Sequence, residues 1–333
     1  MRVAVTGGAG FIGSHTVVAL LEAGHDVLIL DNFDNAERDV PDRVAGIAGR
    51  GAELVEADVT DPATYRAPLA VFQPQALIHF AGLKAVGEAV ENPLEYYRVN
   101  VAGSVTLFQE MAKIACNRLV FSSSATVYGD PDQVPIPEDH TTRPTNPYGQ
   151  SKRMVEQVIE DWARAHPALS AIALRYFNPV GAHPSARIGE APQGVPNNLM
   201  PYVAQVAQGR RDQLSVFGND YDTPDGTGVR DYIHVMDLAE AHLAALALTG
   251  TGTGAEAINV GTGQGYSVLD MVRSFEAACG KEIPYVITDR RPGDIATSLA
   301  DPTLAENRMG WRASRTLDDM CRDAWAWQRG RNT

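Results

Sequence analysis

Met1-Arg2-Val3-Ala4-Val5-Thr6-Gly7-Gly8-Ala9-Gly10-Phe11-Ile12-Gly13 decides the architecture of this 333-residue chain. A short apolar run delivers the backbone into a glycine-rich turn, and the apolar residues beyond it continue as a helix that Gly24 can terminate. Glycines here permit a tight turn and let backbone N–H groups and the positive helix end approach a pyrophosphate. Such a pattern alone is weak, because structural turns use glycine as well. Here, however, the next apolar run ends at Asp31, close to the spacing at which a carboxylate receives hydrogen bonds from an adenosine ribose. A carboxylate there repels a 2′-phosphate, so NAD is expected rather than NADP.

Outward from this turn, short β-rich apolar runs alternate with helical patterns, the signature of a parallel sheet wrapped by helices. Val3–Thr6, Val27–Leu30, Leu54–Glu56, Ala76–Phe80, Leu119–Ser122 and Ala171–Tyr176 read as six strands. The expected class is α/β: a Rossmann-type doubly wound parallel sheet over residues 1–178 and a smaller mixed α/β domain over 179–333, with the chain crossing between them. In such sheets ligands bind beyond the carboxyl ends of the strands. Those ends read Gly7, Asp31, Asp58, Gly82, Ser122-Ser123-Ser124 and Asn178, small or polar at each, as turns also favour. Asp58 suits an adenine amino group or a plain turn equally well. Beyond Asn178, long loops are broken by helical runs at Leu199–Gln208 and Val235–Leu248, Thr249–Gly254 reads as a loop, and Thr316–Gln328 as an amphipathic helix.

Asn146-Pro147-Tyr148-Gly149-Gln150-Ser151-Lys152 carries the chemistry. Asn146 can cap a helix and Pro147 fits its first position, which places Tyr148 and Lys152 one turn apart on one face. Met154, Val155, Val158, Ile159 and Trp162 supply that helix with an apolar stripe. A free phenol titrates near ~10, and lowering it by about three units takes roughly 4 kcal/mol of selective phenolate stabilisation. A neighbouring ammonium and the positive helix end can provide much of that. An isolated Tyr-x-x-x-Lys match is ordinarily a solvated helix face. Its company with Gly7–Gly13 and Asp31 argues for an oxidation site.

A formal charge of −13 disfavours nucleic acid and anionic membranes as partners, since phosphate binding relies on a basic face. Anionic ligands would need local Arg sites. Cys116, Cys279 and Cys321 lack metal-ligand spacing, so no metal is expected and the thiols suit a reducing compartment. The amino terminus enters a strand without a signal peptide and no apolar run is long enough to span a bilayer. A cytoplasmic protein is the expectation.

With Gly7-x-x-Gly10-x-x-Gly13, Ser124 at a strand end and Tyr148-x-x-x-Lys152, the chain resembles the extended short-chain dehydrogenase/reductase superfamily. Longer stretches, His79–Glu88, Phe121–Gly129, Arg175–Pro184, Pro196–Pro201 and Asp225–Asp237, are similar to its UDP-glucose 4-epimerase family. The resemblance runs from Met1 to about Trp327. It implies reversible interconversion of UDP-galactose and UDP-glucose in galactose metabolism, through a transient 4-keto sugar and tightly bound NAD. Tyr148 would take the proton of the 4-hydroxyl, Lys152 would bond the nicotinamide ribose and hold the Tyr pKa down, and Ser124 would orient or relay the proton.

The same resemblance implies cofactor contacts at Gly7, Gly10, Phe11, Ile12 and Gly13, at Asp31, Asn32, Asn35, Asp58 and Val59, and at Phe80, Ala81, Gly82 and Lys84. Asn100, Ser122, Tyr148, Lys152 and Phe177 complete that set. Substrate contacts fall on Lys84, Ser124, Tyr148, Asn178, Asn197, Asn198, Leu199, Val216, Phe217, Arg230, Arg291, Asp294 and Ser298. Arg230 and Arg291 suit a pyrophosphate, which a planar guanidinium grips better than an ammonium does. His79, Asp231 and His234 read as structural.

Two departures stand out. Val99-Asn100 replaces a common Asn-Asn, leaving Asn100 as the expected cofactor contact of the two. Ser298 occupies a gate where a Tyr narrows the sugar pocket, so UDP-N-acetylhexosamines are expected to enter too. A 4,6-dehydratase or decarboxylase shares the first oxidation, but a dehydratase needs an Asp-Glu pair where this chain has Ala125-Thr126. A noncatalytic NAD-binding protein would have no use for Ser124, Tyr148 and Lys152 together. A homodimer is expected from the helices at Val99–Lys113 and Met154–Trp162, whose apolar faces could equally lie on the sheet.

Overall fold

The computed structural model describes residues 1–192, 196, 198–252, 254–291 and 293–331. In chain order the strands are β1 (Arg2–Thr6), β2 (Asp26–Asp31), β3 (Glu53–Glu56), β4 (Ala76–His79), β5 (Arg118–Ser124) and β6 (Ser170–Tyr176), followed by β7 (Asn178–Val180), β8 (Leu214–Phe217) and β9 (Val229–His234). The remainder are β10 (Ala255–Val260), β11 (Gly265–Ser267), β12 (Tyr285–Thr288) and β13 (Thr297–Ser298). A seven-stranded sheet has the order β10-β6-β5-β4-β1-β2-β3, with every neighbouring pair parallel. This is the expected doubly wound α/β architecture, and the order reverses between β1 and β4, where ligand crevices form.

Strand periodicity builds two cores. Val3, Val5, Val27 and Ile29 face one side of the sheet, whereas Ala4, Leu28 and Leu30 face the other. On the first side the helix Phe11–Glu22 packs with Val235–Leu248 through residues such as Leu20, Leu21, Leu238 and Ala245. On the second, Leu107, Phe108, Met111, Val155 and Ile159 lie buried against the sheet. The apolar faces of the two helices expected to build a dimer are thus largely used within the chain. Met154, placed on the stripe by sequence, is 40% exposed.

The six expected strands are all present. The seventh, β10, returns from the second half of the chain and was not legible, because it is an edge strand whose Glu256 and Asn259 interrupt its apolar pattern. The run expected as one helix from Val99 begins instead as a wider π-type turn over Tyr97–Ala102 before the helix Gly103–Lys113. Around β9 gathers a smaller sheet, β11-β9-β13 with β7 also on β9, and β8 pairs with β12. Among the described residues no helix is long and apolar enough to cross a membrane.

The helix Pro147–Ala165 starts as its sequence dictates: Asn146 Oδ1 accepts the Gly149 N–H at 2.9 Å, and Pro147 occupies the first turn. One further bond set fixes it to the sheet. Buried Glu156 accepts two hydrogen bonds from Arg175 of β6, both at 2.9 Å, and one from Ser123 of β5 at 2.5 Å. Replacing Arg175 with Met leaves that buried carboxylate with Ser123 and, at 3.8 Å, Arg153 only, at a cost of up to roughly 3–5 kcal/mol. Urea denaturation should show this loss for Arg175→Met and a smaller one for Arg175→Met/Glu156→Leu; equal stability of wild type and the single variant would refute the assignment.

Candidate active site

A cavity of about 1100 Å³ runs along the carboxyl ends of the large sheet and on to β8 and β9. At one end lies the glycine turn. Gly7 has φ +68°, a Cβ on it would come within 2.7 Å of Ala81 N, and one on Gly13 within 2.1 Å of the Gly7 carbonyl. Any side chain at Gly13 would therefore force the turn apart. The helix Phe11–Glu22 begins at Gly10 with no capping side chain, so its first-turn N–H groups present a positive end to the cavity. That cradle and helix end fit the pyrophosphate of a dinucleotide.

Asp31 closes β2 with its carboxylate accepting from Ala9 N and Phe33 N, both at 2.9 Å. Burial pushes its pKa up against these bonds. The carboxylate braces the glycine turn and remains on the cavity wall. Asp58 accepts from Thr60 N at 2.8 Å and Thr60 Oγ1 at 2.7 Å, so the turn reading of its sequence holds, and it also lines the cavity. Asn32, Asn35, Val59, Phe80, Ala81, Gly82 and Phe177 share the same wall.

Lys152 and Tyr148 reach the middle of the cavity from adjacent turns. Lys152 Nζ donates to the Ser122 carbonyl at 2.7 Å and lies 5.9 Å from the Tyr148 ring centre. Its burial lowers the ammonium pKa to about 8, with Glu156 opposing. Ser124 Oγ accepts from Thr126 N at 3.2 Å and Thr126 Oγ1 at 3.0 Å. A Cβ on Gly149 would sit 2.7 Å from the Thr126 carbonyl, so the helix start presses on the turn after β5 and brings Tyr148 to Ser124. Burial raises the Tyr148 phenol, and its hydrogen bond with Ser124 lowers it. Desolvation acts on both groups at once and dominates each.

The far end of the cavity carries two arginines. Asn178, Asn198, Leu199, Val216, Phe217, Arg230, Arg291 and Asp294 line it. Arg291 stacks over Phe217 at 4.7 Å and pairs with Asp294 at 2.9 Å, while Arg230 donates to the Val229 carbonyl at 2.9 Å. The helix Leu199–Ala207 starts at Asn198 without a side-chain cap, adding a positive end.

Two expected residues, Asn100 and Ser298, are not on this wall. Asn100 is buried and brackets the loop after β4, accepting from Leu83 N at 2.8 Å and donating to Leu83 O and Ser151 Oγ, each at 3.0 Å. Its amide is consumed in shaping that loop, and Val99 lines the cavity in its stead. Ser298 stands in register with Arg230 and does not line the cavity. Asn197 lies outside the described residues. His79, bonded to Thr6 and Ser104, and His234, bonded to Asp323, serve the interior, as does Asp231, which accepts from Thr262, Gly263 and Ala300. Sequence reasoning missed Tyr176 and Glu190. Tyr176 ends β6, where inspection of strand ends would have found it; Glu190 sits in a loop without periodicity.

The profile of the NAD dependent epimerase/dehydratase family matches residues 3–261. The chain belongs to that family. It is 56% identical over 328 residues to the UDP-glucose 4-epimerase of Bacillus subtilis (strain 168), covering 98% of this chain and 97% of the relative. Against the human UDP-glucose 4-epimerase the identity is 54% over 335 residues, with 98% and 96% covered. Among solved structures, UDP-glucose-4-epimerase from Stenotrophomonas maltophila with bound NAD and formylated UDP-arabinopyranose matches with TM-score 0.98 at 48% identity, covering 100% of this chain and 99% of that one. The Bifidobacterium longum enzyme in complex with NAD+ and UDP matches with TM-score 0.95 at 47% identity, again covering 100% and 99%.

Asp31 sets the cofactor prediction for this family member. NADH should bind at least about tenfold more tightly than NADPH, and Asp31→Ser should narrow that gap, because the charge facing a 2′-phosphate is gone. Fluorescence titration measures both; tighter NADPH binding to the wild type would overturn the assignment.

Proposed function

We propose that this protein interconverts UDP-galactose and UDP-glucose by inverting C4 of the sugar, with NAD as its cofactor. The observation that carries the reading is the meeting of Tyr148, Ser124 and Lys152 midway between a dinucleotide cradle and an Arg-lined compartment in one cavity. NAD, when bound, supplies a reversible acceptor for the C4 hydrogen and its electron pair. The glycine turn, the end of the helix Phe11–Glu22 and Asp31 hold it.

Tyr148, as phenolate, removes the proton of the 4-hydroxyl, and the sugar becomes a 4-ketone. Ser124 donates to the oxygen that carries the developing charge, having spent its lone pairs on Thr126. Lys152 places a positive charge one turn from Tyr148 and favours the phenolate. The ketone then presents its opposite face, and Tyr148 returns the proton as the C4 hydrogen comes back. Arg230 and Arg291 grip the diphosphate throughout, which leaves the hexose as the part free to turn. Water-free closure matters, because a ketose that escapes ends the cycle.

A 4,6-dehydratase is disfavoured by the turn after β5, where Ala125 and Thr126 provide no acid. The small side chain of Ser298, in register with Arg230, supports acceptance of UDP-N-acetylhexosamines as well. Val90, Leu94 and Met154, exposed at 62%, 82% and 40%, support action as a homodimer, and the chain's acidity and free thiols support a cytoplasmic setting.

Tyr148→Phe should keep NAD while turnover of UDP-galactose falls by about 10²–10⁴-fold, and unchanged turnover would refute the role. Ser298→Tyr should abolish turnover of UDP-N-acetylglucosamine and spare UDP-galactose; equal failure of wild type on the N-acetyl substrate would refute the wider pocket. For pH, Lys152 keeps its proton below about 8 and loses it above. Turnover should therefore decline as the pH rises through about 8, and a decline that persists in Lys152→Met would contradict this origin.

A further inference from the structure

We infer that Glu190 is a positioning residue for the nucleotide sugar, acting through Lys84 and Asn198; the inference rests on the cavity being a nucleotide-sugar site. Glu190 belongs to none of the sequence motifs, and its side chain is only 10% exposed although it lies on the cavity wall. One carboxylate oxygen accepts from Lys84 Nζ at 3.2 Å and from Asn198 Nδ2 at 2.8 Å. Lys84 comes from the loop after β4, in the cofactor half, and Asn198 opens the helix Leu199–Ala207 in the half with the two arginines. A single side chain therefore joins the two halves across the cavity.

Charge makes the arrangement informative. An uncompensated carboxylate on the wall of a diphosphate site would repel the ligand, so its presence requires that donors absorb it. The two bonds do so, and they orient the donors. Asn198, drawn to Glu190, does not cap its own helix, which keeps the first-turn N–H groups of Leu199–Ala207 available to an anion.

Glu190 can hold its partners because it is itself held. Its carbonyl accepts from Trp327 Nε1 at 3.0 Å, and a Cβ on Gly189 would lie 2.4 Å from Trp327 Cδ1, so the backbone is wedged against the helix Leu317–Gly330. His183 N donates to the Ile188 carbonyl at 3.1 Å and closes the loop from the other side. Lys84, with half its side chain exposed, takes its direction from this fixed point.

The effect is on seating and not on proton transfer. Glu190→Ala should raise KM for UDP-galactose about tenfold, the size of one lost charge-assisted hydrogen bond, with kcat within about twofold. Glu190→Gln, which still accepts from Asn198, should recover part of that loss. In a Lys84→Met/Asn198→Ala background, adding Glu190→Ala should raise KM no further, because both groups through which it acts are gone. A further rise of the same size, a loss confined to kcat, or equal melting-temperature losses in Glu190→Ala and Glu190→Gln without a KM change would overturn the inference. Wild-type protein that leaves UDP-galactose unchanged would instead sink the reading of the cavity itself, and the inference with it.

Discussion

The grip of Glu156 on Arg175 and Ser123 is the constraint on which the site depends. Alternation along β5 turns Ser123 toward the helix Pro147–Ala165 and leaves Ser122 and Ser124 at the cavity, so one carboxylate sets both the height and the rotation of that helix. One turn toward its start, Lys152 then meets the Ser122 carbonyl, and at the first turn Tyr148 meets Ser124. A slip of a single residue would carry the phenol away from the strand end. The buried ion pair thus acts as a register device, a use for which such pairs are well suited even when their net stabilisation is small.

Electrostatics explains how an acidic chain can hold two anionic ligands. The cavity wall carries acids as well, Asp31, Asp58 and Glu190 among them, so the positive potential is local: two helix N-termini, Arg230, Arg291 and Lys152. Burial then works against the catalytic pair, raising the Tyr148 phenol and lowering the Lys152 ammonium to about 8. The phenolate is favoured only when positive charge is gathered at the site.

Much of this was legible in the sequence. The strands of the first half, the glycine turn, Asp31 and the Asn146-capped helix announce themselves because each depends on local rules of period, capping and turn chemistry. Tertiary demands erased the signal elsewhere. β10 is an edge strand drawn from a distant segment, and Asn100 was absorbed into bracing Leu83 because the π-type turn points its amide at that loop. Glu190 left no trace at all, since its meaning arises only when Lys84 and Asn198, 114 residues apart in number, meet across the cavity.

The central claim is that the hydrogen removed from C4 returns to the same carbon of the same sugar. UDP-galactose carrying deuterium at C4, incubated with the protein in ordinary water without added NAD and analysed by NMR, tests it most directly. The account predicts UDP-glucose that retains deuterium at C4. Solvent hydrogen at that position in the product would contradict it.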